Sequence, residues 1–262
     1  LVSAKKDDMR DELLIVFSDI SKSKNLEKMR EDFIGNVSHE LRTPISVIKA
    51  NAETLINNKL IKDDENAKFF TEAISSQSER MTVIVNDLLK ISSMEAGEYP
   101  ISIESLDPFS IVNNLIEGFK SSLEEKKLTV QNNLNEQTRV MADIAALNII
   151  LTNFLSNAIK HSPKKSLINI EESCFTRGFI RLSVSDQGKG VPKKYRERVF
   201  ERFYRIDKGR STKIGGTGLG LSISKNLALM MGYPLGVGSN KPKGATFFID
   251  VKIDEEKSVQ AA

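Results

Sequence analysis

Residues 31–55 read EDFIGNVSHELRTPISVIKANAETL. Ile34, Leu41, Ile48 and Leu55 recur every seven residues, and Ile45, Ala52 and Ile56 widen the apolar stripe. That spacing predicts an amphipathic helix starting near Asn25. A polar stretch, Asn57–Glu65, breaks the pattern and reads as a loop. A second helix is expected over Asn66–Glu95, where Phe70, Ile74, Gln77, Met81, Ile84, Leu88 and Ile91 alternate at spacings of four and three like a coiled-coil seam. Ala96-Gly97 stops it, with glycine at the C-terminal position. Two long helices with a short connection make an antiparallel hairpin, which cannot bury both stripes alone. Pairing with a second copy completes a four-helix bundle, so a homodimer is expected.

On the N-terminal side, residues 13–20 (LLIVFSDI) read as a short buried strand, with a helical lead-in as the alternative. A lone strand has no sheet to join, so 1–24 is expected to be the remnant of an upstream domain plus a linker. Its close, followed by a charged helix, resembles the end of a PAS sensory domain. The first residue is Leu rather than Met, so the chain is expected to be a piece of a longer protein.

On the C-terminal side the pattern becomes mixed. Strands are expected near 101–104, 128–133, 138–141, 167–175, 179–186, 235–239 and 245–252, and helices near 108–125, 143–161 and 219–231. This order suggests an α+β sandwich over residues 98–253, after a hairpin domain over 25–97. Residues 254–262 read as a disordered tail.

Composition narrows the function classes. The chain has 262 residues and a net charge of +3, so nothing in the overall balance points to nucleic acid. One cysteine, Cys174, excludes an intrachain disulfide framework and a multi-cysteine zinc site. No apolar run reaches the roughly 18 residues of a membrane span, so this chain is not expected to cross a membrane, although its parent could. Glycine numbers 15, and seven lie in the 33 residues from Gly188 to Gly220, whereas only Gly35 and Gly97 touch the helical hairpin.

Of the two histidines, His39 lies in Ser38-His39-Glu40-Leu41-Arg42-Thr43-Pro44, off the seam and facing solvent. A neutral imidazole near pH 7 carries one free lone pair. Glu40 can hydrogen-bond the other nitrogen and take its proton as the ring attacks an electrophile. Thr43 stands one turn on, and Pro44 frees a carbonyl one turn back.

A second cluster lies on the helix 143–161. Asn153 and Asn157 share a face with His161, and Lys160 is beside it. Two amides and a lysine on one stripe suit a metal–phosphate group. Val184-Ser185-Asp186-Gln187-Gly188-Lys189-Gly190 follows, an acid at a strand end with two glycines freeing the backbone; such an Asp can accept from an exocyclic amine. Phe200–Arg205 reads as the anchor of a mobile segment, and Ile206–Gly215 as a flexible lid. Gly216-Thr217-Gly218-Leu219-Gly220-Leu221 closes the lid and opens a helix whose N-terminal N–H groups can face phosphate. The string is neither a Walker loop nor a Rossmann fingerprint.

In order, these strings resemble the H, N, G1, F and G2 boxes of sensor histidine kinases with a histidine-kinase A type dimerisation domain. The likeness covers about residues 26–253. It implies a dimeric four-helix bundle followed by a Bergerat-type ATP-binding sandwich. It implies ATP and Mg²⁺ as cofactors, autophosphorylation of His39 with Glu40 as base, and transfer to an Asp of a response-regulator receiver domain. By matching position, Asn153 and Asn157 would hold Mg²⁺, and Lys160 and His161 would contact the nucleotide, His161 replacing a frequent Tyr. Asp186 would read adenine. Gly188, Gly190, Gly216, Thr217, Gly218, Leu219 and Gly220 would shape the pocket, and Arg205 would position the γ-phosphate. Thr43 matches the position that places water for dephosphorylating the regulator. Val47, Ala50, Asn51 and Thr54 match the partner-selecting surface. A cytoplasmic location goes with this reading. Gyrase-type and chaperone ATPases share the sandwich but place a water-activating Glu where this chain has Asn153, and an amide is not a base. The alternatives are a phosphatase-dominant sensor and a degenerate module that only scaffolds a regulator.

Overall fold

The structure is a computed structural model that describes residues 2–7, 12–17, 19–56, 64–176, 178–206 and 216–255. Most of the expected loop (57–63), nearly all of the expected lid (207–215) and most of the expected tail (256–262) lie outside the described residues. The chain divides into two compact units, Leu1–Thr82 and Val83–Ala262.

The first unit opens with β1 (Val2–Asp7) and β2 (Glu12–Phe17), paired antiparallel from Val2↔Phe17 to Asp7↔Glu12. The strand expected over 13–20 is therefore not alone, as the sequence reading had it. Its partner escaped notice because Lys5-Lys6 and Asp7 give β1 little apolar content. Helix α1 (Ser21–Ile56) begins four residues earlier than expected, where the Asp19 carboxylate accepts from the Ser21 N–H. The helix continues through Pro44. The Thr43 and Ser46 hydroxyls, on either side of the proline, donate back to the His39 and Arg42 carbonyls.

Helix α2 (Asp64–Glu95) runs across the boundary between the units. Its last turns belong to the second. Ile91 and Met94 are buried in the same apolar cluster as the sheet and helices that follow, with Leu88, Tyr99 and Ile101 packed against it.

The second unit continues with β3 (Glu104–Leu106), α3 (Pro108–Gly118), α4 (Lys120–Lys126), β4 (Thr129–Asn133), β5 (Val140–Ala142), α5 (Ile144–His161), β6 (Leu167–Thr176), β7 (Phe179–Ser185), α6 (Gly220–Met230), β8 (Leu235–Ser239) and β9 (Ala245–Ile253). The single helix expected over 108–125 is two. Gly118 ends α3, and Phe119 leaves helical geometry at φ −97°, ψ 6°. Asp107 caps α3 by accepting from the Phe109 and Ser110 N–H groups, and Asp143 caps α5 by accepting from Ala146.

The strands form one seven-stranded sheet in the order β3-β5-β9-β7-β6-β4, with β8 also on β9. Only β4 and β6 pair in parallel; all other pairs are antiparallel. The nine residues of β9 let one edge hold β8 along Ala245–Ile249 and β5 at Lys252–Ile253. Helix α5 lays Leu147, Ile150, Leu151, Phe154 and Leu155 into the core and turns its polar stripe away. Phe154 is fully buried against Phe247 of β9, ring centroids 5.6 Å apart. Among the described residues no helix is long and apolar enough to cross a membrane.

Phe154→Ala should lower the unfolding free energy of the second unit by about 3–5 kcal/mol, the usual cost of emptying a phenylalanine site. A leftward shift of the denaturant midpoint at unchanged slope checks it.

Candidate active site

In the first unit His39 is exposed on α1. The Glu40 carboxylate next to it is half-buried and accepts from Arg80 Nη2 on α2 at 3.1 Å. The nearest recorded partner of Glu40 is thus an arginine across the hairpin. For Glu40 to take a proton from His39, it must leave that ion pair. Thr43 Oγ1 donates to the His39 carbonyl at 3.3 Å, so its hydroxyl is turned onto the backbone. Arg80 could not be found from sequence, because it lies forty residues from Glu40 and reads as one more charge on an exposed helix face.

The remaining candidates all lie in the second unit. Asn153 donates through Nδ2 to the Gly220 carbonyl and to Ser224 Oγ, both at 3.0 Å. Its amide therefore fastens α5 to the first turn of α6. A β-carbon on Gly220 would stand 2.6 Å from Asn153 Oδ1, so a larger residue there would have to displace the Asn153 amide. Asn157 is half-buried one turn on, with no side-chain hydrogen bond among the described residues. Lys160 approaches Gly216, with its ammonium 3.3 Å from where a β-carbon would be. Arg205 donates to the Gly216 carbonyl at 2.9 Å. Two cations thus flank one glycine. Burial first, and then the Arg205 charge, push the Lys160 ammonium below the ordinary lysine range. Crowded cations of this kind suit an anion between them.

Asp186 is 3% exposed at the end of β7. Its Oδ1 accepts from Gly188 N–H at 2.7 Å and Ala245 N–H at 3.3 Å. Oδ2 has no protein donor among the described residues. Burial raises the carboxyl pKa, against the lowering effect of the two N–H groups and of His161. Glycines make the fit possible. A β-carbon on Gly188 would meet the His161 carbonyl at 2.6 Å, and one on Gly190 would meet the Gly244 carbonyl at 2.6 Å. His161 keeps an open face to solvent. Desolvation of its inner edge lowers its pKa, as do Lys160, Lys126 and Arg205, while Asp186 opposes them.

Gly218 has φ +72°, and its carbonyl accepts from Phe203 N–H at 2.9 Å, joining the segment before the expected lid to the segment after it. Thr217 Oγ1 accepts from Leu219 N–H and donates to Asp87 Oδ2 on α2 at 3.4 Å. Leu219 is fully buried, so its side chain anchors the loop and only its backbone is available to a ligand. No side chain caps the N-terminus of α6. The sequence reading missed Asp87 and also Asn240, which donates to the Asp186 carbonyl at 2.8 Å. Gly244 carried a readable signal, a glycine just before a strand. It has φ +137°, and a β-carbon there would lie 1.8 Å from the Asp186 carbonyl oxygen.

Two family models match the two kinds of site separately. Residues 29–97 match the His Kinase A (phospho-acceptor) domain, and residues 142–255 match the histidine kinase-, DNA gyrase B- and HSP90-like ATPase domain. The chain carries the domain pair of a sensor histidine kinase's catalytic portion. It is similar to the sensor histidine kinase WalK of Bacillus subtilis, 32% identical over 94% of this chain and 40% of that protein. It is also similar to the sensor-like histidine kinase SenX3 of Mycolicibacterium smegmatis, 32% identical over 94% of this chain and 63% of that protein. It therefore spans less than two thirds of the length of either relative. Among solved structures, full-length ShkA in complex with AMPPNP superposes with a TM-score of 0.62 at 28% identity, over 85% of this chain and 46% of that one. The histidine kinase fold thus extends over both units, taken one at a time.

Asp186→Asn should keep the bonds to Gly188 and Ala245, since an amide oxygen also accepts. The native carboxyl pKa is raised on folding, so Asp186 favours the folded state at low pH and loses that contribution as pH rises through the raised value. The stability difference should therefore move in favour of the Asn variant with rising pH, measured by paired denaturant titrations.

Proposed function

We propose that this chain transfers the γ-phosphoryl group of ATP to His39 and then to an aspartate of a response-regulator receiver domain. One observation carries the reading. A chain with an exposed histidine on a long helix also holds a buried carboxylate, Asp186, whose Oδ2 has no protein donor among the described residues, within the same unit as two converging cations. Asp186 Oδ2 accepts a hydrogen bond from the adenine amine, and Lys160 with Arg205 hold the phosphates.

The side chains present fit a magnesium ion of restricted kind. Among the described residues there is no group of three acidic, histidine or cysteine ligands. Mg²⁺ commonly keeps waters and substrate phosphate oxygens with one or two protein ligands. Asn157 suits that role, since its amide is uncommitted. Asn153 has its nitrogen tied to α6 and would offer only Oδ1. When bound, the ion supplies charge neutralisation to the triphosphate.

His39 attacks the γ-phosphorus through one ring nitrogen. A nitrogen–phosphorus bond forms, the bond to the β-phosphate oxygen breaks, and ADP leaves. Glu40, released from Arg80, accepts the proton from the other nitrogen. Arg205 offsets charge on the leaving group. Asn153 is no base, so water is poorly activated and the phosphoryl group waits for His39. A receiver domain then docks beside His39, over Val47, Ala50, Asn51 and Thr54. Thr43 would position water for the reverse, phosphatase reaction once its hydroxyl turns from the backbone. The dimer is supported by exposed Ile34, Ile45 and Ile56 on α1 and Val83 and Leu89 on α2, apolar side chains that a second copy would cover. Dependence on ATP supports a cytoplasmic working compartment.

Incubation with γ-labelled ATP should give acid-labile, alkali-stable label that vanishes in His39→Gln. Asn157→Ala should reduce labelling by about a hundredfold while light scattering still reports a dimer. No label under any condition, or a monomeric native chain, would refute the respective part.

A further inference from the structure

Helix α5 ends without a left-handed cap. Ser162 is extended, at φ −68° and ψ 140°. The final carbonyls of a helix have no intrahelical partner and carry its negative dipole end. Here two of them are taken by one side chain from a different element. Lys126, the last residue of α4, donates through Nζ to the Ile159 carbonyl at 2.7 Å and the Lys160 carbonyl at 2.9 Å. Its own carbonyl accepts from Lys165 N–H at 3.1 Å, which holds the segment after α5 to the same residue.

The next carbonyl, that of His161, is pressed onto Gly188, whose N–H in turn is held by Asp186 Oδ1 at 2.7 Å. The turn bearing Lys160 and His161 is therefore gripped at its end by Lys126 and on its flank by Gly188. Through Gly188 it is in register with Asp186. A lysine that touches no proposed ligand group thus sits at one end of a continuous line of contacts running from the phosphate-facing lysine to the base-reading carboxylate.

We propose that Lys126 is a positioning residue of the nucleotide site, fixing the register between Lys160 and Asp186 by clamping the C-terminal turn of α5. The proposal rests on the nucleotide reading of that site. It assigns to α4, outside all the sequence motifs, a share in ATP affinity.

The test uses the full chain and its Lys126→Met and Lys126→Arg variants. Methionine keeps the stem and removes the charged donor; arginine keeps a cation able to donate to both carbonyls. Lys126→Met should raise KM for ATP about tenfold, as expected for losing charge-assisted hydrogen bonds, with kcat within about twofold. Lys126→Arg should stay close to the native chain. The second readout is the His161 imidazole titration by NMR, assigned by its persistence in His39→Gln. Burial lowers the His161 pKa first, Asp186 raises it, and Lys160, Lys126 and Arg205 lower it, so loss of the Lys126 charge with the turn still packed should shift the midpoint upward. An unchanged KM in Lys126→Met overturns the proposal. So does a raised KM with an unmoved His161 midpoint, which marks general damage. If Lys126→Met does not fold by circular dichroism, Lys126→Gln, neutral but still a donor, must show the upward His161 shift and a smaller rise in KM, and failure of either overturns the proposal. A native chain that binds no ATP would instead remove the nucleotide reading itself.

Discussion

The nucleotide-binding unit depends on how closely its backbone can approach the Asp186 carboxylate. One oxygen of that group is committed to its own surroundings, holding Gly188 from one loop and Ala245 from the start of β9. The other is left over. A carboxylate so placed has a defined direction and little freedom, which an exposed Asp on a mobile loop would not have. Desolvation raises its pKa, but the two N–H groups act against that rise. The approach is possible only because Gly188 and Gly244 have no side chains, and either β-carbon would occupy space held by a carbonyl oxygen. Glycine content here is thus a consequence of geometry at one acid, and not a general sign of flexibility.

The same logic extends to the phosphate side. Gly216 lies between Lys160 and Arg205, and Gly220 admits the Asn153 amide against the first turn of α6. Asn153 and Asn157 looked equivalent as two amides one turn apart. Packing separates them: Asn153 joins α5 to α6 and Asn157 does not. The first turn of α6 and its supporting helix are therefore joined by hydrogen bonds that carry no charge.

Much of this was legible in the sequence, and the limits of legibility have physical reasons. The helices of the hairpin declared themselves because seven-residue apolar spacing has one structural meaning over that length. The contact of Asp186 with the Gly188 N–H was readable because the string Asp-Gln-Gly places the two groups two residues apart. What sequence could not show is pairing at long range. Arg80 holds Glu40 from the other helix, and Asp87 meets Thr217 across 130 positions. Each is an ordinary charge on an ordinary helix until the fold brings its partner near. The break between α3 and α4 had a visible cause in Gly118, yet one glycine in a helical pattern is often tolerated, so continuity was the natural expectation. β1 was missed because a strand carrying two lysines shows no apolar alternation.

The two acids of the proposed reaction are held in opposite ways, and this bears on control. Asp186 is held by backbone donors of Gly188 and Ala245, so on the proposed reading the direction of the base-reading carboxylate is set by the fold. Glu40 is held by a single side chain, Arg80, at a half-buried site where the ion pair is only moderately strong. An ion pair of that kind is stable enough to populate and weak enough to exchange. Nucleotide capture therefore needs no rearrangement at its acid, whereas proton acceptance beside His39 does. On the proposed chemistry, the commitment of a phosphoryl group is decided in the helical hairpin and not in the pocket that binds ATP.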